Sequence, residues 1–81
     1  MMKPRSNETG TKNIVGRMVV DIRKKHNIKQ KDLLARLQIL GMDISATSLS
    51  RLEGQHRLVQ DFEVLILAKA LGITTKELLG E

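Results

Sequence analysis

The sequence contains no cysteine, no tryptophan, no tyrosine and only one phenylalanine. Without cysteine there is neither a disulfide framework nor a thiolate metal site, so packing alone must hold the fold. With Phe62 as the single aromatic residue, the core has to be built from Leu, Ile and Val, as is typical of a small helical bundle. The 81 residues suit one domain, of a size that folds without disulfides or metals.

Long apolar runs are also missing. The longest uninterrupted aliphatic run is 64–68, far short of the roughly 20 residues that a membrane-spanning helix needs. The first ten residues contain no apolar stretch of the kind that a secretory signal requires. We therefore expect a cytoplasmic protein that does not span a membrane.

What the chain has in excess is positive charge, concentrated in its first part. The formal net charge is +5, with nine Lys/Arg against two acidic residues over 1–31 and five against seven over 32–81. A basic half indicates a polyanionic partner, either nucleic acid or an anionic membrane surface. A surface that serves only solubility explains the same charge, so charge alone leaves these alternatives open.

The spacing of the apolar residues predicts five short helices, no strand and no internal repeat. We interpret 1–12 as a flexible basic and polar arm and 13–80 as the folded domain. The helices are expected over 14–26, 30–40, 46–53, 61–71 and 75–79.

Residues with capping and stop preferences define the expected ends of these helices. Ser45 is a good N-cap for the third helix, and Thr74 opens a sequence with capping-box spacing. Asn27 and Gly41 follow the first two helices, where left-handed residues commonly occur. Gly16 lies inside the first helix at a cost of about 1 kcal/mol relative to alanine, unless a neighbour needs a close approach there.

Three of the predicted helices have apolar faces that should point to the core, and in the second helix this face consists of Leu33, Leu37 and Leu40. In the first helix this face consists of Ile14, Met18, Val19 and Ile22, and in the fourth of Val64, Leu65, Ala68 and Leu71. Phe62 and Ile66 lie one turn apart on a neighbouring face. They either complete the core or form a patch for self-association.

The expected third helix is thin and polar. Leu49 and Leu52 are its only apolar residues that could reach the core, and its other face carries Ala46, Thr47, Ser48, Ser50 and Arg51. Such a helix is slim enough for a DNA major groove, where hydroxyls and an arginine can hydrogen-bond base edges. A short surface helix with capping hydroxyls has the same composition, and composition alone favours that interpretation.

The remaining chemical groups form no catalytic pattern. His26 and His56 lack metal-ligand spacing, and Asp61 and Glu63 suit a helix start better than acid–base catalysis. Phosphate-loop and nucleophile motifs are missing as well. We therefore expect no enzymatic activity, no catalytic residue, no metal and no cofactor.

The order of the segments resembles a known family. An amphipathic helix, a turn, a slim polar helix and a basic connection follow one another as in helix-turn-helix proteins. The sequence is similar to the lambda-repressor/Cro-type (XRE-like) DNA-binding domain at Gly16, Ile22, Arg23, Ile28, Gln30, Leu33, Ser45, 49–53, Arg57, 68–72 and 77–80. The resemblance implies an all-α, five-helix fold in which the second and third helices form the helix-turn-helix.

The resemblance also implies roles for the matching residues. DNA bases would be contacted by Ala46, Thr47, Ser48 and Arg51. DNA phosphates would be contacted by Lys29, Gln30, Lys31, Ser50, Gln55, His56 and Arg57. Arg23 and Glu53 would form a charged pair that ties the first helix to the third.

The sequence departs from the family pattern in two places. Lys29 stands where relatives carry a Ser/Thr cap, and Asp32 can offset this in part through the helix dipole. Gln30 and Ser45 are farther apart than in compact relatives, so we expect a second helix about a turn longer and a looser turn after it.

The expected function is sequence-specific binding of double-stranded DNA by a homodimeric transcriptional regulator, more specifically a repressor, with no membrane partner. The alternative is a protein-binding module, such as an antitoxin with a toxin partner or a phage-like adaptor. In that alternative the apolar face of the fourth helix would bind the protein partner, and DNA binding would be secondary.

Overall fold

In the computed structural model, residues 12–80 are described, and they form five α-helices and no strand. The helices are α1 (Gly16–Lys25), α2 (Gln30–Ile39), α3 (Ala46–Glu53), α4 (Asp61–Leu71) and α5 (Thr75–Leu79). The predicted all-α class is confirmed for this part of the chain. Every helix end agrees with its prediction within one residue, except that α1 begins two residues later. Apart from Lys12, the predicted arm lies outside the described residues.

Leucine side chains from four helices and one valine from α1 fill the centre. The largest fully buried side chains are Val19, Leu33, Leu37, Leu49, Leu52, Leu67 and Leu78. Burial of each such side chain contributes about 1.5–3 kcal/mol relative to leaving it in water. Two of these leucines belong to α3, so the core fixes the rotation of that helix about its own axis.

The predicted helix ends have the expected backbone and side-chain chemistry. The Oγ of Ser45 accepts a hydrogen bond from the Ser48 N–H at 3.1 Å, and Thr74 forms a complete capping box. Asn27 and Gly41 have φ angles of 58° and 94°, in the left-handed region. These helix ends could be predicted from the sequence because each depends on a few consecutive residues.

Two predicted core residues are instead exposed. Ile14 precedes α1, so helical spacing does not apply to it, and the neighbouring Val15 is buried in its place. Leu65 is 61% exposed, whereas Leu67 is fully buried. The run 64–68 is continuously apolar, and such a run does not reveal which face of a helix turns inward.

Phe62 and Ile66, for which the sequence left two interpretations, differ in burial. Ile66 is partly buried and packs against the core, whereas Phe62 is 53% exposed. Only Ile66 therefore helps to complete the core.

Gly16 is required where α1 crosses α3. A Cβ atom at this position would overlap the carbonyl oxygen of Leu52 and lie only 2.9 Å from the Oδ1 of Asn13. The carbonyl belongs to the backbone of a packed helix, so it cannot move aside cheaply. The close approach of α1 to the backbone of α3 therefore explains why a glycine occurs inside α1.

We expect Gly16→Ala to lower the free energy of unfolding by about 1–3 kcal/mol, because overpacking outweighs the better helix propensity of alanine. Urea denaturation measures this change. The matched control is Arg17→Ala on the exposed side of α1, which should stay within about 0.5 kcal/mol of wild type. A Gly16→Ala protein more stable than wild type would contradict the close packing.

Candidate nucleic-acid interface

The two faces of α3 differ sharply in burial. Leu49 and Leu52 are fully buried, and the opposite side exposes Thr47, Ser50 and Arg51 to solvent. Successive residues of an α-helix are rotated by 100°, so these three polar side chains lie on one face directed away from the core. The exposed face of α3, defined here by Thr47, Ser50 and Arg51, can offer two hydroxyls and a guanidinium to a ligand.

The other two predicted base-contacting residues lie at the borders of this face. Ala46 is exposed at the start of α3, whereas Ser48 is half-buried beside the N-cap residue Ser45. The Nη2 of Arg51 donates to the carbonyl oxygen of His56 at 3.2 Å. This exposed hydrogen bond links the guanidinium to the loop that follows α3.

A network centred on Glu53 joins three helices. Arg23 of α1 donates to both carboxylate oxygens, with Nε–Oε2 at 2.9 Å and Nη2–Oε1 at 3.2 Å. The Nη1 of Arg23 also donates to the Ile28 carbonyl oxygen at 3.1 Å. The side chains of Arg23 and Glu53 are only 13% and 7% exposed. The expected charged pair between α1 and α3 is therefore present, and it is largely removed from water.

The start of α2 belongs to the same network. The Nε2 of Gln30 donates to the Oε1 of Glu53 at 2.9 Å and to the Oγ of Ser50 at 3.3 Å. These bonds bring the predicted phosphate-contacting segment 29–31 against the exposed face of α3. Both N–H groups of the Gln30 side-chain amide are engaged by these two bonds, so a phosphate would have to displace one of them to accept from this side chain.

The cations next to Gln30 are exposed at the N-terminus of α2. Lys29 and Lys31 both lie at the surface, and the side chain of Lys29 makes no capping hydrogen bond. The first N–H groups of a helix and the positive end of its dipole favour anions. Asp32 in the first turn of α2 reduces this preference.

The loop after α3 is fixed by a residue that the sequence analysis missed. Asn13 is buried, and its Nδ2 donates to the carbonyl oxygens of Leu52 at 3.1 Å and Arg57 at 2.8 Å. Its Oδ1 accepts from the Gly16 N–H at 2.7 Å. An N-cap asparagine accepts from the N–H two or three residues later, and Asn13 accepts from Gly16 in this way, so its capping preference is the signal that could have identified it.

Gln55 completes the connection between this loop and the segment before α1. Its Nε2 donates to the Asn13 carbonyl oxygen at 3.0 Å, and its own carbonyl oxygen accepts from the Lys12 N–H at 2.9 Å. Gln55 has a φ angle of 64°, so the backbone turns sharply here. The side-chain amide of this predicted phosphate contact is therefore engaged within the protein.

Arg57 is also engaged. Its guanidinium pairs with Glu63 of α4, with Nη2–Oε2 at 3.2 Å and Nη1–Oε1 at 3.4 Å. Glu63 also accepts from the Gln60 N–H at 2.9 Å and thereby caps α4. The pairing reduces the charge that Arg57 can present to a phosphate, while His56 in the same loop is exposed.

Within 12–80, no cluster of three His, Cys, Asp or Glu side chains could hold a metal ion. None of the helices described has the length and apolar character that crossing a membrane demands. Every buried side-chain nitrogen or oxygen among these residues has a hydrogen-bond partner. The polar groups of these residues that remain available to a ligand therefore lie on the surface, and those of α3 and the start of α2 are adjacent.

Comparison of the chain with models of protein families, with curated proteins and with solved structures found no match in any of the three.

Proposed function

We propose that this protein binds double-stranded DNA at specific sequences and regulates transcription, as a repressor, by occupying its site. In this proposal the fold is of the lambda-repressor/Cro type, with α2 and α3 as the helix-turn-helix. The observation that carries the proposal is the division of α3 into a buried side, Leu49 and Leu52, and an exposed side, Thr47, Ser50 and Arg51. That helix can enter a groove without giving up its packing.

Dimensions and chemistry support α3 as the recognition helix. An α-helix with its side chains is 10–12 Å across, and the DNA major groove is about 12 Å wide. Arg51 can bond the O6 and N7 atoms of a guanine, and the Thr47 hydroxyl can bond any base edge. The methyl group of Ala46 can contact the methyl group of a thymine.

The affinity would come mainly from the phosphates. Lys29 and Lys31 are exposed beside the N-terminus of α2 and can neutralise phosphates on one flank of α3. The exposed imidazole of His56 would contribute on the other flank, because the backbone N–H groups of Gln55 and His56 already donate to the carbonyl oxygens of Leu52 and Arg51. Because Glu63 balances the charge of Arg57, we assign Arg57 mainly to holding that loop against α4.

Salt dependence tests this division of roles. If Lys29 and Lys31 each neutralise one phosphate, log K should fall with log salt with a slope of about −2 for one chain and about −4 for two. Fluorescence anisotropy with a labelled duplex, between about 50 and 200 mM salt, measures the slope. A slope near zero would defeat the proposal.

A second candidate function, binding to another protein, is favoured by one observation. Phe62 and Leu65 are 53% and 61% exposed on α4. Apolar side chains grouped on a surface commonly mark an interface. A partner protein such as a toxin would then bind at α4, and its affinity should not depend on Thr47 or Arg51.

A further inference from the structure

The exposed residues of α4 all lie along one stripe. They are Asp61, Phe62, Leu65 and Lys69, and we call them the α4 stripe. At 100° per residue they fall within an arc of about 100°, which is as wide as the apolar face of a typical packed helix. Leu58, just before the helix, is a further exposed apolar residue at 72%. The stripe therefore has the width of a packing face but no packing partner among residues 12–80.

The rest of the chain offers little that could cover the stripe. Residues 1–11 contain only two methionines and one proline as apolar residues, so they provide no apolar face of matching length. Exposed apolar surface gains stability when it is buried, and a helix is the natural partner of another helix. The α4 stripe therefore requires a partner surface whose centre is apolar.

The charges of the stripe indicate which partner fits. Asp61 and Lys69 each lie four residues from Leu65, one towards each end of the helix. In an antiparallel pair of α4 helices with a two-fold axis at Leu65, Asp61 of one chain is level with Lys69 of the partner subunit. The same contact occurs a second time by symmetry. Phe62 is then level with position 68 of the partner subunit, one residue or about 1.5 Å from that lysine, so its ring is within reach of the lysine's aliphatic stem. The stripe is complementary to itself.

We propose that the α4 stripe pairs two copies of this chain, antiparallel, around a two-fold axis at Leu65. This deepens the proposed function, because a homodimer would present two α3 helices to a two-fold symmetric DNA site. Only seven residues, 54–60, connect α3 to α4, and Asn13 and Glu63 hold that connection. Pairing at α4 would therefore fix the separation of the two α3 helices.

The proposed interface is small, so the dimer should be of moderate strength. Stable interfaces bury about 800 Å² on each partner, more than a stripe of two or three apolar side chains provides. We expect a monomer–dimer equilibrium in the micromolar range, measurable without DNA. A failure to dimerise and a failure to bind DNA can therefore be distinguished, because dimerisation is measured without DNA.

Sedimentation equilibrium on the full chain tests the pairing. Leu65→Asp should raise the dimer dissociation constant by about tenfold or more, as expected for a residue at the centre of an interface. The matched control is Ile39→Asp, because Ile39 is 83% exposed on α2 and lies outside the stripe. It should leave the constant unchanged. A wild-type chain that stays monomeric at millimolar concentration would overturn the proposal, as would equal effects of the two variants.

A single-cysteine variant keeps the proposal testable even if Leu65→Asp fails to fold. The natural chain has no cysteine, so Leu65→Cys can form only a disulfide between two chains at position 65. Residues facing each other across a two-fold axis come within the 4.4–6.8 Å between Cα atoms that a disulfide allows. Cross-linking should be at least about tenfold faster than for Ile39→Cys at the same concentration. Equal rates would overturn the assignment of the axis to Leu65.

Discussion

Replacing Thr47 and Arg51 together by alanine should lower the affinity for a specific DNA site by at least about a thousandfold. Each correct base contact contributes roughly 1–3 kcal/mol of discrimination, and a dimer loses four such contacts. Binding to unrelated DNA should persist, because Lys29 and Lys31 still neutralise phosphates. Electrophoretic mobility shift with a specific and a scrambled duplex measures both affinities.

The matched control for this variant is the double substitution Thr75→Ala and Lys76→Ala. It removes the same kinds of groups, a hydroxyl and a cation, from α5 instead of α3. Thr47 and Arg51 are both exposed, so the free energy of unfolding should change by no more than about 0.5 kcal/mol for each. Specific binding that survives the α3 substitutions but not the α5 substitutions would contradict α3 as the recognition helix.

Replacing Glu53 by alanine should lower the free energy of unfolding by about 3–5 kcal/mol, the cost of leaving a buried charge without its partner. Arg23, whose side chain is 13% exposed in the wild-type structure, would keep its charge without this partner, and Gln30 would lose its 2.9 Å acceptor. Since small domains have a total stability of only about 5–15 kcal/mol, this is a large fraction. Chemical denaturation followed by circular dichroism measures the change.

Two further variants distinguish the effect of leaving the Arg23 charge unpaired from the unspecific effect of a substitution. Asp21→Ala removes an exposed acidic residue of α1 and should change stability by less than about 0.5 kcal/mol. The double variant Arg23→Met and Glu53→Leu replaces the pair by apolar side chains, and should recover most of the loss. A loss below about 1 kcal/mol for Glu53→Ala would show that the pair is solvated and does not tie α1 to α3.

The helices of this fold were predictable because their signals are local. Ser45 and Thr74 occupy cap positions, and Leu49 and Leu52 are spaced so that both reach one side of α3. The same spacing predicts that Thr47 and Arg51 point away from that side, and both are exposed. The outward face of α3 thus follows from four residues within a single short helix.

Contacts between distant segments were not predictable in the same way. Asn13 bonds the backbone 39 and 44 positions farther along the chain, and no local pattern indicates that approach. The pairing of Arg57 with Glu63 depends on how the loop meets α4, so its charge appeared free in the sequence. The inward face of α4 was misassigned at Leu65 because its neighbours on both sides are equally apolar.

Selection of bound sequences from a random DNA pool with the full chain tests the central claim most directly. We predict that the enriched sequences share a two-fold symmetric motif whose half-sites are centred about one helical turn, 10–10.5 base pairs, apart. The Thr47→Ala and Arg51→Ala double variant should enrich no such motif. If the wild-type protein retains DNA without enriching any sequence, or retains none, the exposed face of α3 does not read bases.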